Sequence, residues 1–385
     1  MSNLDKIDHQ EILEEATAYT GLSNFGPNSH LQGLERLCWS LNYEADLNDI
    51  GRSAQISRIT GLLVNRLLLE EDFKKNSIDE EEMKPPLVIV GLPRTGSTMI
   101  HRLLASDPDH TAMIWWEGRN PSRLKGEKRG EPHERILLGK KEVDIMVQAS
   151  PDLMKIHPMD AMAADEEILL IEHSFHSTVP ESFMNLPSYS EWVESQDHTT
   201  SYEYLKRMLQ YLQWQNLERK GKSWVLKTPH HMGFVDVILK VFPGAKIIQT
   251  HRSPLETIPS YCSMVSTLAE PLSNKSFAKN LGKHWEEKLS RALKHCMHVS
   301  DNHPNQFLDL NYKKLISEPI DEMEVIYNFL DKPYSSEAKE KMILWKEENI
   351  QNKHGSHEYN VEDYGINDKK ILEDFDEYIT KYDLT

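Results

Sequence analysis

Cysteine is scarce in this chain, and the few thiols have no metal-binding spacing. Cys38, Cys262 and Cys296 are the only three in 385 residues, and they lie far apart. Isolated cysteines are typical of buried thiols in a reducing compartment, so we expect a cytoplasmic protein. No apolar run is long enough to span a membrane, and residues 1–15 are polar and charged. This composition predicts neither a membrane span nor a signal peptide.

Positive charge is also in short supply. The 44 Lys and Arg residues are outnumbered by 61 Asp and Glu residues, which gives a formal net charge of −17. This balance disfavours nucleic acid and anionic lipid as partners, and it requires a local cluster of cations wherever an anion is to be bound. The histidines are scattered. The two tight groups, His230-His231 and His173-x-x-His176, lack further ligands at metal spacing, so we predict no metal site.

One glycine-containing segment carries most of the functional information: Val88-Ile-Val-Gly-Leu-Pro-Arg-Thr-Gly-Ser-Thr98. The apolar run before it predicts a buried parallel strand, and the apolar spacing after it predicts an amphipathic helix that begins at Ser97 and Thr98. Gly91 and Gly96 allow a tight turn between the two. A strand, a glycine turn and a helix start together form a cradle for a phosphate-like anion.

This turn differs from the Walker A loop of the P-loop nucleotide-binding proteins. Gly91 and Gly96 have the Walker A spacing, but Ser97 occupies the position of the Walker lysine. The cation is Arg94 instead, inside the turn. The difference favours a nucleotide whose terminal group is not that of ATP; the alternative is a tight strand–helix turn without a ligand.

Two further strand ends carry cations. Ser223–Pro229 predicts a short buried strand with Lys227 at its end, and Ala245–Thr250 predicts the next strand, which is followed by Arg252. Ligands bind open α/β sheets at the carboxyl ends of the strands. A helix begins near Pro254 and carries Ser260, eight residues after Arg252. A guanidinium and a hydroxyl placed in this way can together bind a phosphate-like anion.

These segments resemble the sulfotransferases, which transfer a sulfuryl group from 3′-phosphoadenosine 5′-phosphosulfate (PAPS) to an acceptor. The Pro93–Thr98 loop is similar to the family's 5′-phosphosulfate loop, and the Arg252–Ser260 pair is similar to its 3′-phosphate signature. The resemblance extends from about residue 15 to the end of the chain. The supporting segments are the Lys227-Thr-Pro-His-His231 turn, Glu362–Ile366 after His357-x-Tyr359, and the lead-in segments Thr20–Gly26 and Leu47–Arg52, which are similar to a mainly bacterial branch.

The resemblance implies a set of binding residues and a co-substrate. PAPS is expected as the sulfuryl donor and PAP as the product, with no metal. Arg94 and Lys227 are expected to stabilise charge on the transferred group. The expected nucleotide-binding residues are Arg94, Thr95, Gly96, Ser97, Thr98, Arg252, Ser260 and Tyr359. The chain has no Arg-Lys-Gly segment of the kind found near the C-terminus of many cytosolic members, so the covering of the adenine and the 3′-phosphate is left open.

The general base has three candidates. Glu117 is the first, since it follows the first helix at the distance seen in some sulfotransferases and its tryptophan neighbours could desolvate it. His176 is the second. His231 is the third, and it could instead orient a loop. The acidic cluster Asp165–Glu167 is interpreted as the solvated start of a helix over 165–174, with contact to a cationic or polyhydroxyl acceptor as the alternative.

The alternation of strands and helices predicts an α/β fold of the P-loop type, with three layers in which a central parallel sheet is flanked by helices. We expect residues 1–84 to form a helical N-terminal region packed on the core, and residues 85–385 to form the sulfotransferase α/β domain with a C-terminal lid segment. The predicted N-terminal helices span 31–41 and 53–71, and a further helix is predicted over 231–242.

The sequence therefore predicts a PAPS-dependent sulfotransferase that acts on a hydroxyl of a small or lipid-like molecule. A P-loop kinase is one alternative, although it normally needs a loop lysine and Mg²⁺. A non-catalytic nucleotide-binding protein is another. A homodimer is an open option. Residues that could line an apolar acceptor pocket, or equally pack in the core, are the tryptophans, Met154, Met159, Met162 and Phe175.

Overall fold

The computed structural model describes residues 6–151, 153–156, 158–349 and 360–384. The strands are β1 (Leu87–Gly91), β2 (His110–Thr111), β3 (Ser223–Lys227), β4 (Lys246–His251) and β5 (Phe307–Asn311). The helices are α1 (His9–Thr20), α2 (His30–Tyr43), α3 (Asp49–Lys75), α4 (Ser97–Ala105), α5 (Trp115–Arg119), α6 (His133–Ala149), α7 (Leu153–Ile156), α8 (Ile168–Ile171), α9 (Pro187–Glu194), α10 (Thr199–Gln215), α11 (Val235–Val241), α12 (Pro254–Ala269), α13 (Ala278–Asn302), α14 (Tyr312–Ser317), α15 (Pro319–Phe329), α16 (Ser336–Glu348), α17 (Asp368–Asp374) and α18 (Asp376–Tyr382).

The five strands form one parallel sheet in the order β2-β3-β1-β4-β5. In the register of the central strands, Val88 lies opposite Leu226 on one side and Ile247 on the other. The sheet order places β1 between β3 and β4. Because all strands are parallel, the residues that follow these three strands meet at one edge.

Helices cover both faces of the sheet, because the strands are apolar on both sides. Val88 and Val90 pack in one core cluster with residues of α10, α12 and α13, whereas Leu87 and Ile89 pack in another with residues of α4 and α15. Every residue of β1 and β3 is buried. The predicted three-layer α/β architecture with a central parallel sheet is confirmed.

The N-terminal helices have a hydrophobic cluster of their own, which includes Ala16, Leu37 and Leu63. The buried Arg66 of α3 connects this region to the rest of the chain by donating to the carbonyl oxygen of His173 at 2.9 Å. The helical character predicted for this part is observed, and α3 extends further than predicted, to Lys75. The domain boundary after residue 84 stays a prediction.

Two predicted helices are shorter than expected. The helix predicted over 165–174 is limited to α8, followed by a 3-10 turn at Glu172–Ser174 that ends at Phe175 with a left-handed φ of 58°. The helix predicted over 231–242 begins as the 3-10 segment Pro229–Phe234 before α11. A buried contact between Glu167 and His231 joins these two segments.

The described residues contain no disulfide, no membrane-spanning helix and no metal-binding group. The three cysteines among them are buried and not joined in disulfides. They include no helix with the length and apolar content that crossing a membrane requires. No group of three or more His, Cys, Asp or Glu side chains in these ranges has the arrangement of a metal site.

Candidate active site

A cavity of about 870 Å³ opens at the edge of the sheet where the strands end. It is bordered by Arg94 after β1, Lys227 at the end of β3 and Arg252 after β4. The three cations that the sequence assigned to strand ends therefore border one cavity. Further lining residues come from helices that include α3, α6, α8, α12 and α16. The volume is large enough for a nucleotide and part of a second molecule.

The loop after β1 has the backbone of an anion-binding nest. Arg94 has a left-handed φ of 69° and Gly96 a φ of 80°, on either side of Thr95. Alternation of this kind turns successive N–H groups towards one concavity, and a non-glycine residue in this region carries a backbone cost that is typical of functional loops. At Gly91, a Cβ atom would lie 2.4 Å from Thr250 Oγ1, so only glycine fits beside β4.

The predicted loop residues divide into two groups. Arg94, Gly96, Ser97 and Thr98 border the cavity. Thr95 is fully buried, and its hydroxyl contacts Leu92 O at 2.7 Å and Thr250 Oγ1 at 2.6 Å. The Thr95 side chain therefore holds the loop against β4, and it has no cavity-facing position.

Arg94, Arg252 and Ser260 form one cluster. Arg94 Nε donates to Ser260 Oγ at 3.1 Å, and Arg252 Nη1 donates to the carbonyl oxygen of Arg94 at 2.9 Å. Arg252 Nε also donates to Glu256 Oε2 at 2.6 Å, and its guanidinium lies 4.1 Å from the centre of the Tyr312 ring. The loop and the predicted 3′-phosphate pair are thus in direct contact.

Lys227 belongs to a buried ionic network. Its Nζ is ion-paired with the carboxylate of Glu166, and its backbone N–H donates to Glu167 Oε2 at 2.9 Å. The other oxygen of Glu167 contacts His231 Nε2, and His231 Nδ1 is hydrogen-bonded to the Tyr202 hydroxyl at 2.7 Å. Burial raises the pKa of Glu167, but the His231 ring and the Lys227 N–H outweigh it, so the pKa lies below the ordinary value. Glu167 is therefore a buried anion that fixes the end of β3.

Glu117 does not border the cavity. It is buried, its Oε2 accepts from the backbone N–H of Ile114 at 2.9 Å, and it forms a buried ion pair with Arg219 at 2.7 Å. These contacts explain its conformation as the cap of the short helix α5. The residue predicted first as the base is thus engaged with Arg219 and is absent from the cavity lining.

His176 also lies outside the cavity lining. Its ring is buried, Nδ1 donates to the carbonyl oxygen of Ser174 at 2.8 Å, and the ring lies 4.9 Å from that of Trp192. Burial lowers the pKa of His176, which favours the neutral ring. His231, the third candidate, is fully buried in the network behind Lys227. Tyr359 lies outside the described residues.

Apolar side chains also border the cavity. They include Trp115, Met154 and Met159, which the sequence suggested for an acceptor pocket. Met162 is 44% exposed, and Phe175 packs among the N-terminal helices, so neither contributes. Gln55 and Arg58 of α3 add a polar edge on which Arg58 is ion-paired with the buried Glu172.

Sequence reasoning gave too little weight to the acidic cluster. Asp165 and Glu166 border the cavity, and Glu167 is buried beneath it, so the segment is not a solvated helix start. A run of three acids is common at exposed helix starts, and only the tertiary approach of Lys227 and His231 distinguishes this one. Trp345 and Lys346 of α16, which also border the cavity, were not singled out either.

A parallel sheet with an anion-binding loop after its central strand defines an α/β protein of the P-loop type, in which the cations converge at the strand ends. Residues 85–336 match the model of the sulfotransferase family. The matched part includes β1 to β5 and the loop. The chain belongs to the sulfotransferase family.

Curated relatives agree with this assignment. Omega-hydroxy-beta-dihydromenaquinone-9 sulfotransferase Stf3 of Mycobacterium bovis and that of Mycobacterium tuberculosis are each 29% identical to this chain over 255 residues. The alignments cover 64% of this chain and 62% of those proteins, so less than two thirds of their length is matched.

Solved structures are similar over nearly the whole chain. Sulfotransferase STF1 from Mycobacterium tuberculosis H37Rv has a TM-score of 0.83 and 29% identity, with 96% of this chain and 99% of that chain covered. Sulfotransferase STF9 from Mycobacterium avium has a TM-score of 0.87 at 24% identity, with 100% and 98% covered. The second likeness concerns the fold alone. Together these structures place the helical N-terminal region within a known architecture.

Proposed function

We propose that this protein transfers the sulfuryl group of PAPS to a hydroxyl of a lipid-like acceptor and releases PAP. The observation that carries the proposal is one cavity whose lining combines the strand-end cations Arg94, Lys227 and Arg252 with apolar side chains such as Trp115 and Met159. Nucleotide and acceptor would meet at Lys227. The reaction would be an in-line displacement in which the acceptor oxygen forms a bond to sulfur as the bond to the phosphate oxygen breaks.

The strand-end cations and the loop after β1 suit the nucleotide. The nest at Arg94–Gly96 and the start of α4 would bind the 5′-phosphosulfate through N–H groups and the Ser97 and Thr98 hydroxyls. Arg252 and Ser260 would bind the 3′-phosphate, with Arg94 between the two anionic groups. A ribose 3′-phosphate distinguishes PAPS from ATP, which makes this cluster the main source of nucleotide specificity.

Glu166 is the base that the geometry favours. Its carboxylate borders the cavity and is ion-paired with Lys227, the cation best placed to stabilise charge on the transferred group. When Lys227 turns to the sulfuryl group, the Glu166 carboxylate is released to accept the proton of the acceptor hydroxyl. Glu117 and His176, the bases first predicted, would have to leave buried contacts to reach that proton.

The apolar side chains that border the cavity suit a hydrophobic acceptor. The methionine side chains among them adapt to irregular apolar molecules, and the net negative charge of the chain disfavours a polyanionic acceptor. The relative Stf3 is named for a hydroxylated menaquinone, a lipid-like molecule. We extend this substrate class, a hydroxyl on an apolar chain, to the present protein.

An assay with a prenyl alcohol tests the proposed activity. Farnesol and radiolabelled PAPS in EDTA should give a labelled sulfate ester and PAP, whereas farnesene, which lacks the hydroxyl, should give neither. Activity in EDTA is expected because sulfuryl transfer in this family needs no metal. Phosphate transfer from ATP with Mg²⁺, and none of the sulfur label, would instead identify a P-loop kinase.

A further inference from the structure

We propose that helix α16 completes the nucleotide site, with Trp345 stacking on the purine ring and Lys346 adding positive charge for the 3′-phosphate. This inference rests on the proposed function. It concerns residues beyond the family match, which ends at residue 336 where α16 begins. It also answers the question left by the missing Arg-Lys-Gly segment, namely what covers the adenine end of the nucleotide.

The position of α16 beside the phosphate loop is the first observation. Trp345, Lys346 and Asn349 border the same cavity as Arg94 and Arg252. The helix contacts α4, whose first residues form the phosphate loop's far side. Trp345 and Met99 pack against one shared apolar cluster and both border the cavity. The indole is thus fixed at one edge and exposed to the cavity at the other.

Tyr312 lies close to both the predicted 3′-phosphate pair and the phosphate loop. Tyr312 lies under the Arg252 guanidinium at 4.1 Å and approaches Gly96 so closely that a Cβ there would lie 3.4 Å from the Tyr312 ring. Ile316, Pro319 and Trp345 border the same cavity. The proposal places the 3′-phosphate on Arg252 and the base against Trp345.

The charges near the strand ends are largely balanced before any ligand binds. Arg252 is paired with Glu256, and Lys227 is paired with Glu166. PAP carries two phosphates of about −1.5 to −2 each. Lys346 lies in the last turn of α16, and no carboxylate of a described residue is within ion-pair distance of it. It can therefore add a cation without a competing partner from the described part of the chain.

Stacking and charge predict different ligand dependences. Stacking on an aromatic side chain contributes to binding of any nucleotide with the same base, whether or not it has a 3′-phosphate. A cation opposite the 3′-phosphate acts only when that group is present, and salt screens it. Substitutions at two positions, tested with three ligands, therefore separate the two roles.

The test is calorimetric titration in EDTA with PAP, adenosine 5′-phosphosulfate and cytidine 3′,5′-bisphosphate. Trp345→Leu should weaken PAP and adenosine 5′-phosphosulfate to a similar extent, by about tenfold or more, and cytidine 3′,5′-bisphosphate by less. Trp345→Phe should restore most of the affinity. Lys346→Gln should weaken PAP about fivefold at low salt and leave adenosine 5′-phosphosulfate nearly unchanged. Lys341→Gln, an exposed position on the same helix, is the matched control.

Each result decides between the roles. If the unaltered protein does not bind PAP, the proposed function fails, and the inference fails with it. If the unaltered protein binds PAP and the Trp345 and Lys346 variants bind all three ligands equally well, with unchanged melting temperature, the inference alone is overturned. A third pattern would also overturn the inference, because it would assign α16 a packing role. In that pattern Trp345→Leu loses all binding and melts at a lower temperature, whereas Trp345→Phe and Lys346→Gln keep full affinity.

Discussion

At the scale of single residues, the site depends on cations that are already engaged before a ligand arrives. Arg252 contacts the carbonyl oxygen of Arg94, the Glu256 carboxylate and the Tyr312 ring. Lys227 is paired with Glu166. These contacts hold long side chains near the positions that a nucleotide needs, so less conformational entropy is lost on binding. They also mean that each cation must exchange one anion for another.

Arg252→Ala should weaken PAP binding by about 30-fold and adenosine 5′-phosphosulfate binding by less than about threefold, because only PAP has the 3′-phosphate that the guanidinium would bind. Calorimetric titration of both ligands measures the difference. Glu256→Gln is the control: it frees the guanidinium and should tighten PAP binding slightly. Equal losses for the two ligands would remove Arg252 from the 3′-phosphate site.

Glu166→Gln should lower kcat by about 100-fold or more while the Kd for PAP changes little, since the amide cannot accept the acceptor's proton. Steady-state kinetics and PAP titration give the two numbers. Glu117→Gln is the matched comparison, and it should reduce the free energy of unfolding because Arg219 loses a buried partner. Lost turnover in Glu117→Gln with unchanged stability would restore Glu117 as the base.

The sequence predicted the positions of site residues best where the local backbone fixes the side chain, while the roles assigned to those residues stay predictions. Arg94, Ser97 and Thr98 follow β1, and Lys227 and Arg252 end or follow strands, so the strand pattern alone placed them at one edge. The base was different. Glu117, His176 and Glu166 lie on short helices and turns whose orientation depends on distant partners such as Arg219 and Lys227, and no sequence periodicity reports those contacts.

At the scale of elements, the strands and long helices were predictable, because strong apolar patterns determine them. The segments around the cavity were not. Residues 168–174 and 229–234 form short and 3-10 helices, and buried contacts join Glu167 to Lys227 and His231 beside them. Glu166, next to the first of these segments, contributes a carboxylate to the cavity lining.

The docking of α17 on α13 gives a pH-dependent prediction. Burial and the neighbouring Asp374 raise the pKa of Glu286 to about 7. A carboxyl whose folded pKa is raised favours the folded state at low pH, and this contribution is lost as the pH rises from the ordinary value of about 4.3 towards 7. Glu286→Gln should therefore be more stable than the unaltered protein at pH 8, by about 1 kcal/mol, and nearly equal at pH 5.

Thermal unfolding at the two pH values checks this expectation. Glu373→Gln, at an exposed position of α17, is the control and should show no such pH-dependent difference. If the stability difference between Glu286→Gln and the unaltered protein were the same at pH 5 and pH 8, the Glu286 carboxyl would not titrate between these pH values. The raised pKa of Glu286 would then be wrong.

At the scale of the whole molecule, the acidic chain brings several cations to one cavity, where we propose that an anionic nucleotide binds. The net charge is −17, yet Arg94, Lys227, Arg252 and Lys346 border one cavity. Gln55 and Arg58 of the N-terminal helix α3 border the same cavity. The predicted P-loop-type fold and family are confirmed, whereas the acceptor wall, built from many elements, could not be read from local patterns.

Calorimetric titration of PAP in EDTA, with ADP as the comparison, tests the central claim most directly. The account predicts that PAP binds at least about tenfold more tightly than ADP, because the Arg252–Ser260 cluster would bind a 3′-phosphate that ADP lacks. Preference for ADP, or no binding of either nucleotide, would contradict it and would assign the loop after β1 to a different ligand.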